Sequence, residues 1–456
     1  MRLKDIKQTF THITQNSKMV TENSLFVSMN DKHLFEAIKN GAVAIISNND
    51  MPLHVPVYET DPLMAYTNIL KDMYDLSIDL IGITGTDGKT TTASIIQYLL
   101  TNDKCGSIGT NGIKYKDETI ESKYTTPILE DTYDYLNTFE KEGLKTAVME
   151  VSSEGILNNR INGLEYDVAI FTNLTHEHLN THKTMDNYFS TKIQLFKQLK
   201  DDGIAIINID DEYYPRFSSI TLRKVLTYGV SDEADYQIKD IRNNGDHMTF
   251  TIKTSNKSHE IRTNLLGKYN AYNITAALIT VSNRMDIYDA IKMVETIPEI
   301  EGRYFHMRND SSIDLIVDFA HTPNALKNLL ETVNENKRNN SILVVGAAGE
   351  KDKSKRSIMG EVATKNSDFV IFTSEDPKNE DEKEIVDQLL KEVTSENYIK
   401  IYDRKEAIKS AVKIARMNDT IIITGKGNEH HFNKNNKLTR HNDIEIAKEF
   451  LIKKGI

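Results

Sequence analysis

The chain has 456 residues, 39% of them hydrophobic and 27% charged, and carries a net charge of −11. This length and balance exclude a disordered chain, leave room for roughly two to four domains, and make non-specific nucleic-acid binding a poor fit, although backbone amides and a few lysines can still hold anions locally. A single cysteine, Cys105, excludes an intrachain disulfide and a zinc site built on several cysteines, and suits a reducing cytosol.

In chain order, Met1-Arg2-Leu3-Lys4-Asp5 opens on mixed charges without an apolar leader, and no later run approaches the ~18 apolar residues of a membrane span. A cytoplasmic protein is therefore expected. Residues 1–77 read as a small α/β unit around the apolar run Ala42–Ile46. Leu80–Thr84 is the next strand, followed by a glycine loop and the helical run Ala93–Leu100. Cys105 reads as a small buried apolar residue rather than a nucleophile. Ala147–Glu150, Val168–Phe171, Ile204–Ile207, Ser341–Val345 and Thr420–Ile423 are further short apolar runs bounded by turn residues, as parallel strands are. Residues 236–263 alternate polar and apolar, as in Met248-Thr249-Phe250-Thr251-Ile252, and read as an antiparallel edge or hairpin. The sum is an α/β chain with doubly wound sheets.

The strongest local signal is Gly85-Thr86-Asp87-Gly88-Lys89-Thr90-Thr91. Strand, glycine loop and helix in that order make a phosphate loop, although this one is shorter than the usual GxxxxGK[ST]. The glycines allow a tight turn with amides aimed at phosphate oxygens. Lys89 is expected to reach the β- and γ-phosphates, and the Thr90 hydroxyl to reach Mg²⁺. Such a loop serves a GTPase, a kinase, a motor or a ligase equally well.

A second cluster follows. Glu150 ends a strand, where α/β proteins place ligands, and a carboxylate there suits Mg²⁺. The competing reading makes this a helix start capped by Ser152 or Ser153. His176, His178 and His182 fall within seven residues, but their spacing is not HExxH and no cysteine assists. One histidine on Mg²⁺, or plain loop polarity, fits better than zinc. Lys192 lies in Tyr188–Phe196, which has helical apolar spacing, and by composition alone it is a solvated helix lysine.

Together these motifs resemble the Mur ligase family, and within it the UDP-N-acetylmuramoyl-dipeptide ligases of the MurE type. The resemblance spans nearly the whole chain. It rests on GTDGKTTT from Gly85, TTP from Thr125, EVSS from Glu150, NLTHEH from Asn173, and Thr191-Lys192 before Leu195-Phe196. Further on it rests on GKYNAYN from Gly267, EGR from Glu301, DFAHTP from Asp318, GAAGEKDKSKR from Gly346, and GKGNE from Gly425. It implies three domains: a shortened UDP-substrate domain over 1–77, a central parallel-sheet ATP domain over 78–298, and a Rossmann-like domain over 299–456. It implies that Gly85, Thr86, Asp87, Gly88, Lys89, Thr90 and Thr91 bind ATP phosphates, that Asn273 contacts adenine, and that Arg303 and Asp318 reach the nucleotide. Thr90, Glu150, His178 and a carbamylated Lys192 would hold Mg²⁺, as two ions. Thr125, Thr126, Ser152, Asn158 and Arg160 would bind the muramoyl-dipeptide. The implied reaction activates a carboxylate as an acyl phosphate, which an amino acid then attacks. The implied partners are small molecules only, with no nucleic acid, no membrane insertion and a monomeric chain.

The departures from the family fall on the substrates. The uridine-contacting Asp-Ser-Arg is Asn16-Ser17-Lys18 here, leaving Ser17 for uracil, and the following nucleotide loop is cut to Ser28-Met29-Asn30-Asp31. The Asp-Asn-Pro-Arg of diaminopimelate enzymes is Glu375-Asp376-Pro377-Lys378, and another expected arginine is Lys351. Lysine is a point charge and cannot make the bidentate contact of arginine. Two acids suit an ammonium-bearing substrate such as L-lysine. Gly425 and Glu429 keep the GKGxE pattern, with Asn428 in place of its histidine. Residues 378–383 also read as a solvated helix start, and Lys351–Arg356 as a solvated or loop-capping run. Two other functions stay open: a Mur-type ligase for another carboxylate, and a nucleotide-binding regulator without catalysis.

Overall fold

The computed structural model describes residues 1–101, 104–220, 223–307 and 313–455. They form two compact units that interleave along the chain. Met1–Gly82, Asn102–Asp167 and Gln198–Lys200 make the first, and Ile83–Thr101, Val168–Lys197 and Asp201–Ile456 the second. The strands Asp79–Thr84 and Tyr166–Phe171 contribute residues to both.

The first unit contains a four-stranded parallel sheet, in the order His12–Thr14, Ser24–Val27, Ala42–Ser47, Val57–Glu59. Every residue of Ser24–Val27 is buried, as a central parallel strand requires. The helix Pro62–Tyr74 starts where Asp61 accepts a hydrogen bond from Met64 N at 2.9 Å and proline takes the first position. Ala65, Tyr66, Ile69 and Leu70 form its buried stripe. Burying each such aliphatic chain contributes about 2 kcal/mol relative to exposure. The Tyr66 hydroxyl donates to Glu130 Oε2, and Thr14 Oγ1 donates to the other carboxylate oxygen at 3.0 Å, so no polar atom of this cluster is stranded. Farther on, Thr146–Glu150 pairs parallel with Cys105–Gly109, which continues antiparallel into Gly112–Tyr115 and Glu118–Ile120. Cys105 is buried, as read from the sequence, and its thiol donates to Gly106 O at 3.4 Å.

The second unit carries two large sheets and a two-stranded one, His431–Lys434 with Lys437–Arg440. One large sheet runs in the order Ser258–Thr263, Met248–Lys253, Tyr236–Asn243, Lys224–Gly229, Leu199–Asn208, Tyr166–Phe171, Asp79–Thr84. Its first three strands are antiparallel, with a bulge between Lys239 and Arg242, so the alternation over 236–263 folds as an antiparallel edge. The other sheet has six strands, in the order Phe305–Met307, Asp314–Asp318, Thr420–Thr424, Ser341–Val345, Phe369–Phe372, Tyr398–Lys400. All but the first are parallel to their neighbours. Successive residues of its strands feed opposite cores. Leu343 and Val345 pack with Leu329, Met359 and Leu389, whereas Ile342 and Val344 pack with Ile408, Ala411 and Leu451. Helices therefore cover both faces, which is the doubly wound arrangement. Its strand ends present Asp318, Glu375 and Gly425 on one side.

Candidate active site

The loop after Asp79–Thr84 turns directly into the helix Lys89–Leu100. Gly88 sits at its start with φ +88°, where a Cβ would lie 2.6 Å from Asn273 Oδ1, so only glycine fits. The loop is fixed from the neighbouring strand end. Thr86 N donates to Asn173 O at 2.8 Å, Asp87 N to Asn173 Oδ1 at 2.9 Å, and Thr172 Oγ1 to Asp87 O at 2.7 Å. Lys89 Nζ donates to the carbonyls of Gly85, 2.9 Å, and Thr86, 2.7 Å. Thr90 and Thr91 are buried in the first helical turn. Asn273 is buried against Thr92, whose hydroxyl donates to it at 3.3 Å, and it supports the loop from behind.

Lys192 is not a solvated lysine. Its side chain is 1% exposed, and Nζ donates to Gly85 O at 2.7 Å above the Tyr188 ring. The helical run around it breaks at Ile193 into Met185–Lys192 and Gln194–Lys197. Among the described residues no carboxylate forms an ion pair with Lys192, and burial, reinforced by Lys89, holds its pKa well below the ordinary lysine value despite Asp87.

The three nearby histidines go to three different places. His176 Nε2 lies 2.7 Å from Ser354 Oγ, and His182 is buried against Tyr188. His178 stands at the start of the short helix Leu179–His182, with left-handed φ of +59° and its ring edge-on to Tyr188. Burial, then Lys192, Lys89, Lys351 and His321, lower its pKa to about 2, which leaves its ring neutral with a lone pair to give. Among the described residues no three His, Cys, Asp or Glu side chains cluster as a metal site. Of the donors gathered here, the Thr90 hydroxyl is of the oxygen kind that Mg²⁺ favours, and the neutral His178 imidazole has a lone pair to give.

From the six-stranded sheet, Arg303 Nη2 donates to Thr90 Oγ1 at 3.0 Å, and its guanidinium lies over the Phe319 ring. Asp318 accepts from Tyr304 N and Ala320 N, both at 2.7 Å, and burial raises its pKa against the pull of Arg303. The Asp87 carboxylate accepts from Thr322 Oγ1 at 3.2 Å and Asn324 Nδ2 at 3.2 Å. The structure thus brings Gly85–Thr91, His178, Lys192, Asn273, Arg303 and Asp318 into one unit.

Glu150 lies in the other unit, at the end of Thr146–Glu150, and is buried. It accepts from Thr110 N at 2.8 Å. Ser152 does cap the following helix, accepting from Gly155 N at 3.0 Å, so the carboxylate and the cap are separate features. Thr126 Oγ1 donates to Glu150 O at 2.9 Å and accepts from Ser152 N at 2.9 Å. Thr125 Oγ1 meets Thr110 Oγ1 at 3.1 Å. Arg160 donates to Thr126 O at 3.0 Å and stacks on Tyr124, while the exposed Asn158 binds Glu154 O. Ser17 is buried, with its hydroxyl donating to Glu36 Oε2 at 2.6 Å.

The remaining residues gather at the ends of the six-stranded sheet. Asp376 pairs with Lys426 at 2.9 Å, and Lys426 with Glu429 at 2.6 Å. Glu375 is buried with Oε2 lacking a hydrogen-bond partner, and a Cβ on Gly425 would stand 2.4 Å from that oxygen. Burial raises its pKa although Arg404, Lys355 and Lys426 oppose it. Lys378 has φ +52° and pairs through its backbone with the strand His431–Lys434. Lys351 is half-buried.

The basic run Lys351–Arg356 is not simply solvated, because Lys355 and Arg356 are buried. Lys355 pairs with Glu177, and Arg356 with Glu380 at 2.9 Å. Asp381 caps the helix Glu382–Leu389, so only part of 378–383 is a plain helix start. Sequence reasoning passed over Lys355, Glu177 and Lys426. Lys355 and Arg356 fall in the opening turn of the helix Ser354–Asn366, but nothing in the KDKSKR run signals which of its charges are buried.

The Mur ligase middle domain matches residues 83–281, and the Mur ligase, glutamate ligase domain matches 302–427. A UDP-N-acetylmuramoyl-L-alanyl-D-glutamate–2,6-diaminopimelate ligase of Bacillus cereus is 36% identical over 461 residues, covering 96% of this chain and 93% of its own. The chain belongs to the Mur ligase family. As a Mur ligase it is an ATP-dependent amide ligase. A UDP-N-acetylmuramyl-tripeptide synthetase of Oceanobacillus iheyensis is 34% identical, over 97% of this Mur ligase and 94% of its own length. A solved UDP-N-acetylmuramoyl-L-alanyl-D-glutamate–2,6-diaminopimelate ligase superposes with a TM-score of 0.69 at 27% identity, covering 98% and 96%. The fold is shared with the MurF ligase of Thermotoga maritima in complex with ADP, at a TM-score of 0.68, 20% identity and coverage of 98% and 97%. Among the described residues no helix is long and apolar enough to cross a membrane.

Proposed function

We propose that this Mur ligase adds a diamino acid, L-lysine or a relative of it, to UDP-N-acetylmuramoyl-L-alanyl-D-glutamate in peptidoglycan precursor synthesis. The observation that carries the reading is the near full-length likeness to ligases named for that acceptor. The choice of a diamino acid rests on Glu375, a buried carboxylate with an unsatisfied oxygen beside Gly425. An ammonium group is its natural partner.

In the proposed reaction an acceptor carboxylate oxygen attacks the γ-phosphorus of ATP, and ADP leaves. The amino-acid nitrogen then attacks the acyl carbon, the C–O bond to phosphate breaks, and the nitrogen loses a proton. Lys89 and the amides of Gly85–Thr91 hold the phosphates, with Asn273 behind the loop and Arg303 and Asp318 at the nucleotide. Thr90, His178 and Lys192, if carbamylated, would hold Mg²⁺, which would neutralise phosphate charge when bound; Glu150 is proposed as a carboxylate Mg²⁺ ligand from its own unit. Carbamylation fits the buried Lys192, whose pKa burial lowers toward the neutral amine, the form that attacks CO₂. Thr125, Thr126, Ser152, Asn158, Arg160 and Ser17 bind the acceptor. Lys351, Glu375, Asp376, Lys378, Gly425 and Glu429 line the amino-acid site. The proposed domains are 1–77, 78–298 and 299–456, acting as a cytoplasmic monomer.

One observation favours a second reading. The Ser17 hydroxyl is committed to Glu36, and the loop after it is short, so another carboxylate acceptor remains a rival. Calorimetric titration with UDP-N-acetylmuramoyl-L-alanyl-D-glutamate separates the two. Micromolar binding is expected, and no heat at millimolar ligand favours the rival.

A further inference from the structure

His178 is a non-glycine residue held at φ +59°, a conformation that persists where its surroundings over-determine it. Those surroundings come from one short segment, and they grip both sides of the residue. Before it, Glu177 is buried with Lys355, whose Nζ lies 3.1 Å from Oε1 and 3.0 Å from Oε2 and also donates to His321 O at 2.7 Å. After it, Leu179 N donates to Asp352 Oδ2 at 2.9 Å. One residue farther back, His176 meets Ser354. Asp352 is itself fixed by accepting from Ser354 N at 2.9 Å. Residues 176, 177 and 179 are thus each tied to 352–355, while the His178 ring stands edge-on to the Tyr188 ring.

We propose that Asp352 and Lys355 are positioning residues for the nucleotide-bound metal, acting through His178. This rests on the reading of His178 as a Mg²⁺ ligand. The pair Glu177–Lys355 has a purpose beyond stability in this account. A buried ion pair contributes little net stability, yet it fixes geometry strictly, because either charge left alone is costly. The segment that carries Asp352 and Lys355 also carries Lys351, placed above in the amino-acid site. The same few residues therefore set the metal ligand and line the second substrate's site.

The test uses Mn²⁺ as the probe, titrated into the full chain with ATP and followed by electron paramagnetic resonance of the free ion. It needs neither acceptor nor amino acid. Lys355→Ala and Asp352→Ala are each expected to raise the Mn²⁺ concentration for half-occupancy by about tenfold, the usual size for loss of a residue that orients a metal ligand. ATP affinity without metal should stay unchanged, Lys355→Arg should recover most of the loss, and Lys353→Ala should behave as wild type. A merely structural pair would lower the melting temperature and leave Mn²⁺ occupancy alone, and that result overturns the proposal. Should Lys355→Ala not fold, Glu177→Gln with Lys355→Met leaves no lone buried charge and must show the same Mn²⁺ shift. His178→Ala separates the two levels. If it weakens Mn²⁺ while Lys355→Ala and Asp352→Ala do not, only the positioning role fails. If His178→Ala has no effect, the ligand assignment fails and takes this inference with it.

Discussion

The phosphate loop and the far end of the six-stranded sheet solve the problem of holding charged ligands in opposite ways. Around the loop, backbone carbonyls and amides fix the charged groups in place. Gly88 turns the chain, Lys89 and Lys192 both donate to Gly85 O, and His178 is kept neutral. At the sheet end, acids and bases already satisfy one another: Lys426 with Asp376 and Glu429, and Arg356 with Glu380. Of the acids named there, Glu375 keeps a buried carboxylate oxygen without a hydrogen-bond partner. The contrast teaches where selectivity resides. A preorganised dipole cradle serves any nucleoside triphosphate chemistry, whereas under the proposed function the unpartnered Glu375 oxygen is what would favour an ammonium-bearing substrate.

The largest effect is expected at the loop. Lys192→Ala should cut turnover by about 10³-fold, as losing a charge-stabilising group does, with bicarbonate unable to restore it. Steady-state phosphate release measures this, and near-normal turnover would remove the carbamate from the account. At the sheet end, Glu380→Ala leaves Arg356, which is 0% exposed, without its partner, and should cost about 3 kcal/mol in urea unfolding. Burial alone would raise the Glu380 pKa, but hydrogen bonds from Arg356, Glu350 N and Lys353 outweigh it and bring it to about 2. The sign follows. The stabilisation is complete above the ordinary value of 4.5 and is lost as pH falls through about 2, so wild type and variant should converge on acidification.

Glu375→Gln sharpens the contrast next. Losing a charged partner for an ammonium should raise KM for a diamino acid about tenfold or more, with kcat less affected. Because burial raises the Glu375 pKa, wild-type KM should climb as the pH falls toward that raised value, and the variant should lose this dependence. Lys353→Ala, the exposed partner of the same Glu380, should change stability by about 0.5 kcal/mol or less, against the large cost at Arg356. Equal costs for the two would mean that burial does not govern this network.

Much of the loop was legible in the sequence because its signal is local. A strand, two glycines, a lysine and a helix follow within a few residues, and Asp79–Thr84 and Lys89–Leu100 fold accordingly. The strands over 42–46, 204–207, 341–345 and 420–423 were readable for the same reason, as was the edge over 236–263. Lys192 was not readable from composition. Its burial depends on Gly85 O, 107 residues away, and on Tyr188 turning beneath it. Only the family resemblance singled it out. Lys355 and Glu177 are 178 residues apart, and a charged residue in a charged run gives no sign that it will be buried. Local periodicity reports elements, whereas the pairing of buried charges is decided by how those elements pack.

The most direct test of the central claim is ATP-dependent phosphate release across the amino acids, with UDP-N-acetylmuramoyl-L-alanyl-D-glutamate present and absent. The account predicts release only when acceptor and amino acid are both supplied, strongest with L-lysine or another diamino acid. Release that ignores the acceptor, or that favours amino acids without a second amino group, would contradict it.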